Sequence, residues 1–313
     1  MAQESGELPA GHTMTSAPVG IDDPQLRHGL VQVEENVHLH YVELGEGPLV
    51  VLLHGFPEFW YAWRNQIGAL AAAGFRVVAP DQRGYNLSSK PEAVSAYGAA
   101  RLAEDVAMLL RDRGETKAFV VGHDWGAGVA WSFAMEHPEM VERLVVLNGP
   151  HPERLLHELK TSIVQWIRSW YIFFFQLPAL PEAVAVLDGY AMLLKPLREE
   201  PTRPGAFTRE DLARYVEAFE RPGALTAMID WYRAIFRAKA VAIRRIEADV
   251  LVLWGEKDRH LDREIATPSS ELVPNARVVF VPDATHWIQH DAPAIVNAEL
   301  IAFFRGETPP ALP

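Results

Sequence analysis

Short runs of consecutive apolar residues alternate along this chain with stretches whose apolar positions recur every three or four residues. Leu30–Glu34 and Val37–Leu44 predict two strands joined by a Glu-Asn turn. Leu49–Leu53, Phe75–Ala79, Ala118–Val121, Val141–Leu147, Val250–Trp254 and Arg277–Val281 read as six more. Between them, Trp60–Ala73, Ala100–Arg113 and Ala127–His137 carry the helical period. Strands that are apolar along their whole length are covered on both faces. The pattern therefore predicts an α/β protein with a mostly parallel central sheet flanked by helices.

From 151 to 239 the rhythm changes. Ile163, Trp166, Ile167, Trp170, Tyr171 and Phe174 recur at helical spacing, broken by prolines and without a strand signal. This segment reads as an all-helical lid, or cap, inserted between two parts of the core, 28–150 and 240–305. Residues 1–27 and 306–313 read as polar, flexible tails. The first stretch has neither the basic nor the apolar region of a secretory signal. No apolar run approaches the roughly 18–20 residues of a membrane span, so a cytoplasmic protein is expected. Asn86-Leu87-Ser88 matches a glycosylation sequon, which without such a signal carries no weight.

Composition narrows the chemistry. With 29 Lys and Arg against 41 Asp and Glu, the net charge is 29 − 41 = −12, and no basic run offers a footprint for nucleic acid or anionic lipid. Hydrophobic residues at 49% in a chain of 313 can fill a large core. There is no cysteine, which excludes disulfides, thiolate metal sites and a thiol nucleophile. A nucleophile here must be an oxygen or nitrogen group.

The strongest local signal is Val120-Val121-Gly122-His123-Asp124-Trp125-Gly126-Ala127-Gly128. A β-branched strand runs into a tight turn between small residues, and a helix opens at once. Such an elbow presents its central side chain at the top of the sheet. That residue is Asp124, where a carboxylate could also serve as an ordinary helix cap. A serine attacking saturated carbon would leave an ether that water does not readily cleave; a carboxylate leaves an ester that water can hydrolyse. Asp124 thus points to displacement at sp³ carbon through an alkyl-enzyme, and to epoxides or alkyl halides as substrates.

Hydrolysis of the ester needs a base and a group to orient it. His286 follows the last strand and Asp258 the one before, so the chain order is nucleophile, acid, base. Glu256 is the alternative acid, whereas Asn148 cannot act as one. His290 reads as a surface residue at a helix entry. The spacing His286-x-x-x-His290 lacks the glutamate and third ligand of a zinc site, so neither metal nor cofactor is expected. His38 and His40 read as one face of an exposed strand. The backbone N–H groups of Phe56, in His54-Gly55-Phe56-Pro57, and of Trp125 are candidates for an oxyanion hole.

Together His54-Gly55-Phe56-Pro57-Glu58, Asp81-Gln82-Arg83-Gly84-Tyr85, His123-Asp124-Trp125-Gly126 and His286-Trp287 resemble the epoxide hydrolases of the α/β-hydrolase fold superfamily, from about residue 30 to about 305. The resemblance implies that Tyr171 and Tyr232 activate and protonate the epoxide oxygen. By periodicity alone both sit on apolar helical faces, as core tyrosines do. It also implies a pocket formed by Phe56, Trp125, Trp170, Phe174 and Trp287, taking a small hydrophobic epoxide and water to a vicinal diol, in a role such as detoxification. The loop Gly84-Tyr85-Asn86-Leu87 departs from relatives that have Gly-Asp after this tyrosine. A haloalkane dehalogenase using the same aspartate, with Trp166 or Trp170 as a second halide donor, stays open, as does a binding or signalling protein that has lost turnover. Monomer and homodimer are equally compatible with the sequence.

Overall fold

The apolar runs form one eight-stranded sheet in a computed structural model that describes residues 18–20, 23–161 and 170–309. Its strands are β1 (Arg27–Glu34), β2 (Val37–Leu44), β3 (Leu49–Leu53), β4 (Arg76–Pro80), β5 (Ala118–His123), β6 (Val141–Leu147), β7 (Asp249–Gly255) and β8 (Ala276–Val281). In space they run β1-β2-β4-β3-β5-β6-β7-β8. The pairs β1–β2 and β2–β4 are antiparallel, and every other pair is parallel. Each residue of β3 and β5 is buried, the burial expected of central strands with helices on both faces.

This order locates the crevice. From β3 the chain crosses to β4 on one side and then returns to β5 on the other. The loops leaving the carboxyl ends of β3 and β5 therefore diverge, and such a switch point is where open α/β sheets hold ligands. The loop after β3 is His54-Gly55-Phe56-Pro57, and the turn after β5 is Asp124.

The helices follow the sequence closely. The Trp60–Ala73 stretch splits into a 3₁₀ turn, Trp60–Trp63, and α1, Arg64–Ala72. The amphipathic helix α2 spans Ala99–Asp112 and buries Leu102, Val106, Leu109 and Leu110 at helical spacing. Small residues let α3, Trp125–Glu136, lie close against the strands. Between β6 and β7 the described residues contain helices only: Pro152–Thr161, Trp170–Phe174, Leu180–Ala185, Ala191–Glu199, Arg209–Phe219 and Ala224–Arg237. Arg209–Phe219 opens on a capping box, in which the Thr208 side chain accepts from the Asp211 N–H at 3.1 Å and the Asp211 carboxylate accepts from the Thr208 N–H at 2.7 Å. Ala224–Arg237 lays Ala227, Met228 and Trp231 on the core. Ile163, Trp166 and Ile167 lie outside the described residues. No helix among the described residues is long and apolar enough to cross a membrane.

Three local expectations fail. Val19, within the stretch read as a tail, is buried, and its N–H donates to the Arg64 carbonyl at 2.8 Å. His40 is buried rather than exposed, because the loop after β4 covers it and Asp81 meets its Nδ1 at 2.7 Å; His38 is exposed as expected. His290 is fully buried, as described below.

One buried ion pair holds the loop after β4. Arg83 donates to both oxygens of Asp105 on α2, at 2.8 and 2.6 Å, and its carbonyl accepts the Trp231 indole N–H at 2.9 Å. Arg83→Met leaves the Asp105 carboxylate buried and unpaired, and urea unfolding is expected to report a loss of about 3–5 kcal/mol. A loss below about 1 kcal/mol, the range of a surface pair, would contradict this reading.

Candidate active site

Asp124 closes β5 and caps α3 with φ 51° and ψ −118°, outside the regions open to most side chains. The turn is possible only because its neighbours are small: a Cβ on Gly126 would run into the Leu53 carbonyl, and one on Gly55 into the Asp124 side chain. The Phe56 N–H donates to Asp124 Oδ1 at 2.8 Å. Trp125 is the first residue of α3, where a backbone N–H has no acceptor within its helix. These donors and the positive end of the helix dipole favour a negative charge at this point.

The other two members arrive from neighbouring loops. His286 Nε2 lies 3.5 Å from Asp124 Oδ2, and its Nδ1 lies 2.8 Å from Asp258 Oδ2. Asp258 also accepts from the His260 and Leu261 N–H groups on Oδ1, at 2.7 and 3.0 Å, and from Asn148 Nδ2 on Oδ2 at 2.7 Å. Burial works against both carboxylates, yet the hydrogen bond and charge of His286 hold Asp124 below its ordinary value. Asp258 is likewise held at about 2 against burial by the charge and hydrogen bond of His286, with His260 and Asn148 adding to them. For His286 burial favours the neutral ring, but Asp258 and Asp124 outweigh it and raise its pKa well above 6.5.

Above this triad lie the two tyrosines. The Tyr171 and Tyr232 rings sit 5.8 Å apart and nearly perpendicular, and Tyr232 meets Phe56 edge-on at 5.1 Å. Both phenols are pushed well up, first by burial and then by neighbours that include Asp124. A cavity of about 450 Å³ opens beneath them. Of the expected pocket residues, Phe56, Trp170, Phe174 and Trp287 line it, Trp170 at 60% exposure. Trp125 does not: its indole packs edge-on against Tyr232 at 4.9 Å and Trp231 at 5.8 Å. An elbow residue's indole can turn toward the sheet top or under the helical segment, and no periodicity distinguishes the two. Among the further lining residues, Met192, Glu200, Arg259 and His260 were unforeseen.

Similarity to known proteins agrees with this geometry. The alpha/beta hydrolase fold family matches residues 48–293, more than half the chain. Epoxide hydrolase 4 of Mus musculus is 37% identical over 93% of this chain and 83% of its own length. Epoxide hydrolase 1 of Caenorhabditis elegans is 39% identical over 86% and 68%. The chain belongs to the epoxide hydrolase family. The AB hydrolase superfamily protein YfhM of Bacillus subtilis is 45% identical, over 87% of this chain and 96% of that protein. A crystal structure of the Bacillus megaterium epoxide hydrolase with an inhibitor superposes with a TM-score of 0.81 at 33% identity, covering 89% of this chain and all of that one.

In this member of the family the triad rests on a second, buried polar layer that the sequence reading missed. Glu58 accepts from Tyr215 Oη at 2.8 Å and Gln289 Nε2 at 3.0 Å, and contacts His290 Nε2 at 2.8 Å and His123 Nδ1 at 3.4 Å. His123 Nε2–H donates to the His286 carbonyl at 2.8 Å. His290 is therefore a fully buried partner of Glu58 and not a surface residue. Asn148, dismissed as an acid, bridges two strand ends, accepting the Gly255 N–H at 2.9 Å while donating to Asp258. No spacing announces such partners, since their contacts span more than 100 residues of chain.

The depressed pKa of Asp258 has a consequence for stability. The unfolded chain binds the proton near pH 3.9 and the folded one only near 2, so the carboxylate's contribution is complete above about pH 5 and vanishes as pH falls through the folded value. About 2–3 kcal/mol should be lost between about pH 5 and pH 2. Urea unfolding of Asp258→Asn should show a shallower acid limb by that share; parallel curves for the two proteins would count against it.

Proposed function

We propose that the enzyme hydrolyses a hydrophobic epoxide to a vicinal diol through a covalent ester on Asp124. The observation that carries this reading is the pair of phenols, Tyr171 and Tyr232, that share one cavity with the Asp124 carboxylate and His286. The helical segment acts as the lid that supplies them. Phe56 N–H occupies Oδ1, which leaves Oδ2 to attack an epoxide carbon. The C–O bond breaks as Tyr171 and Tyr232 hydrogen-bond the ring oxygen and one of them gives it a proton. Water then adds to the ester carbonyl, losing a proton to His286, while the Phe56 and Trp125 N–H groups hold the oxyanion. Collapse passes the added water's second proton to the leaving oxygen and releases the diol, with one oxygen from the epoxide and one from Asp124, and leaves His286 charged as it began.

Alkylation itself prepares the base. In the free enzyme two carboxylates hold His286 charged, and a charged imidazole cannot take a proton from water. Esterifying Asp124 removes one of those charges and its hydrogen bond, so the pKa of His286 falls and its proton passes to the phenolate left by ring opening, which restores the phenol and frees the base. Haloalkanes are less well served, because the Trp125 side chain already hydrogen-bonds Tyr232 and would have to leave it to meet a halide.

A single turnover in ¹⁸O-labelled water should place label in Asp124 and leave the first diol largely unlabelled. A fully labelled first diol would exclude the covalent route, and halide release from chloroalkanes without diol formation would favour the dehalogenase reading. Tyr232→Phe should slow ester formation by about 10²-fold or more, with hydrolysis of the preformed ester little changed. Equal slowing of both steps in rapid-quench measurements would remove the acid role.

A further inference from the structure

Apart from the reacting groups, the cavity wall is largely aromatic and aliphatic, with Trp170, Phe174, Phe175, Met192, Leu193 and Pro196 contributing most of it. Glu200 interrupts it. This residue follows the helix Ala191–Glu199, and its side chain reaches across to the core. There Oε2 meets His260 Nε2 at 2.9 Å and accepts the Trp287 indole N–H at 3.1 Å. Both partners sit on the reacting loops: the His260 N–H donates to Asp258, and Trp287 follows His286. The His260 ring lies 5.1 Å from the His286 ring and 6.4 Å from that of Tyr171.

The two oxygens of Glu200 are used unequally. Oε2 receives both donors, whereas Oε1 accepts from no described residue, and the side chain keeps 13% exposure. Burial opposes the charge, but His260, Trp287 and His286 keep the carboxyl below its ordinary value. A clasp between helical segment and core needs only Oε2. An ionised oxygen left in an apolar wall is costly unless a donor arrives to meet it. Arg259, next in the chain to His260, lines the same cavity and has no ion pair among the described residues. A cation and an anion along one wall disfavour a charged ligand group and suit a neutral one that both donates and accepts.

We propose that Glu200 Oε1 is a specificity subsite for epoxides bearing a hydroxyl group remote from the ring, the hydroxyl donating to the carboxylate. The inference rests on the epoxide hydrolase reading above. It is tested with terminal epoxyalkanes and their ω-hydroxy counterparts of matched chain length. At the length that spans the cavity, kcat/KM should favour the hydroxylated substrate by about tenfold, the yield of one hydrogen bond to a charged group. In Glu200→Gln the amide can keep an acceptor for Trp287 while turning an N–H to the cavity, from which a hydroxyl can accept only a weaker, neutral bond, so that ratio should fall severalfold, whatever happens to either rate alone. Glu200→Asp withdraws the acceptor and should move the preferred chain length up by one methylene, which a purely structural role would not do. Turnover of both series at equal kcat/KM in the unaltered enzyme, or an unchanged ratio in both variants, would overturn the subsite. Failure to hydrolyse any epoxide would instead overturn the function on which it rests.

Discussion

Everything at this site follows from keeping one partly buried carboxylate ionised. Asp124 sits at the end of a central strand, in a backbone conformation that costs about 1–3 kcal/mol. Burial there raises its pKa. The Phe56 N–H, the start of α3 and His286 oppose this, and each belongs to a different part of the chain. Holding the charge therefore draws the loops after β3, β5 and β8 to one point above the sheet. The small residues around the elbow are the steric counterpart of the same demand, since larger ones would push the loops apart.

Those loops are not held by their own hydrogen bonds alone. Glu58 gathers donors from the elbow strand, from the helix beyond His286 and, through Tyr215, from the helical segment. Asn148 does the same work between the ends of β6 and β7. Such groups are expensive to bury and become stabilising only when every partner is in place. A fully buried glutamate beneath the triad thus makes sense as a hub that gives three loops one relative position.

The sequence was legible where physics acts locally. Continuous apolar strands, the Asp124 elbow and the loops that carry Asp258 and His286 each depend on neighbours within a few residues, and in the fold the strands form and the three side chains meet. The misreadings share a cause. His40, His290 and Asn148 are polar residues whose environment is set by partners far along the chain, so each looked exposed or idle in its local window. Val19 is a single apolar residue among polar ones, with no period to mark it. Trp125 was correctly placed next to the nucleophile but wrongly aimed, because the direction of an indole depends on the Trp231 and Tyr232 rings that meet it.

Burial acts on every acid of this site in the same direction, raising its pKa, and the partners decide what that means. Asp124 and Asp258 face an imidazole and N–H donors, which reverse the effect and keep them charged. Tyr171 and Tyr232 face carboxylates, and Tyr232 also Tyr171, which add to it and push the phenols further above their ordinary value. Core and helical segment thereby divide the work: the sheet loops hold the negative charges and the imidazole, and the helical segment brings the neutral donors. The combination needs both parts of the chain, because Tyr171 and Tyr232 come from the helical segment while Asp124, Asp258 and His286 come from the loops of the sheet.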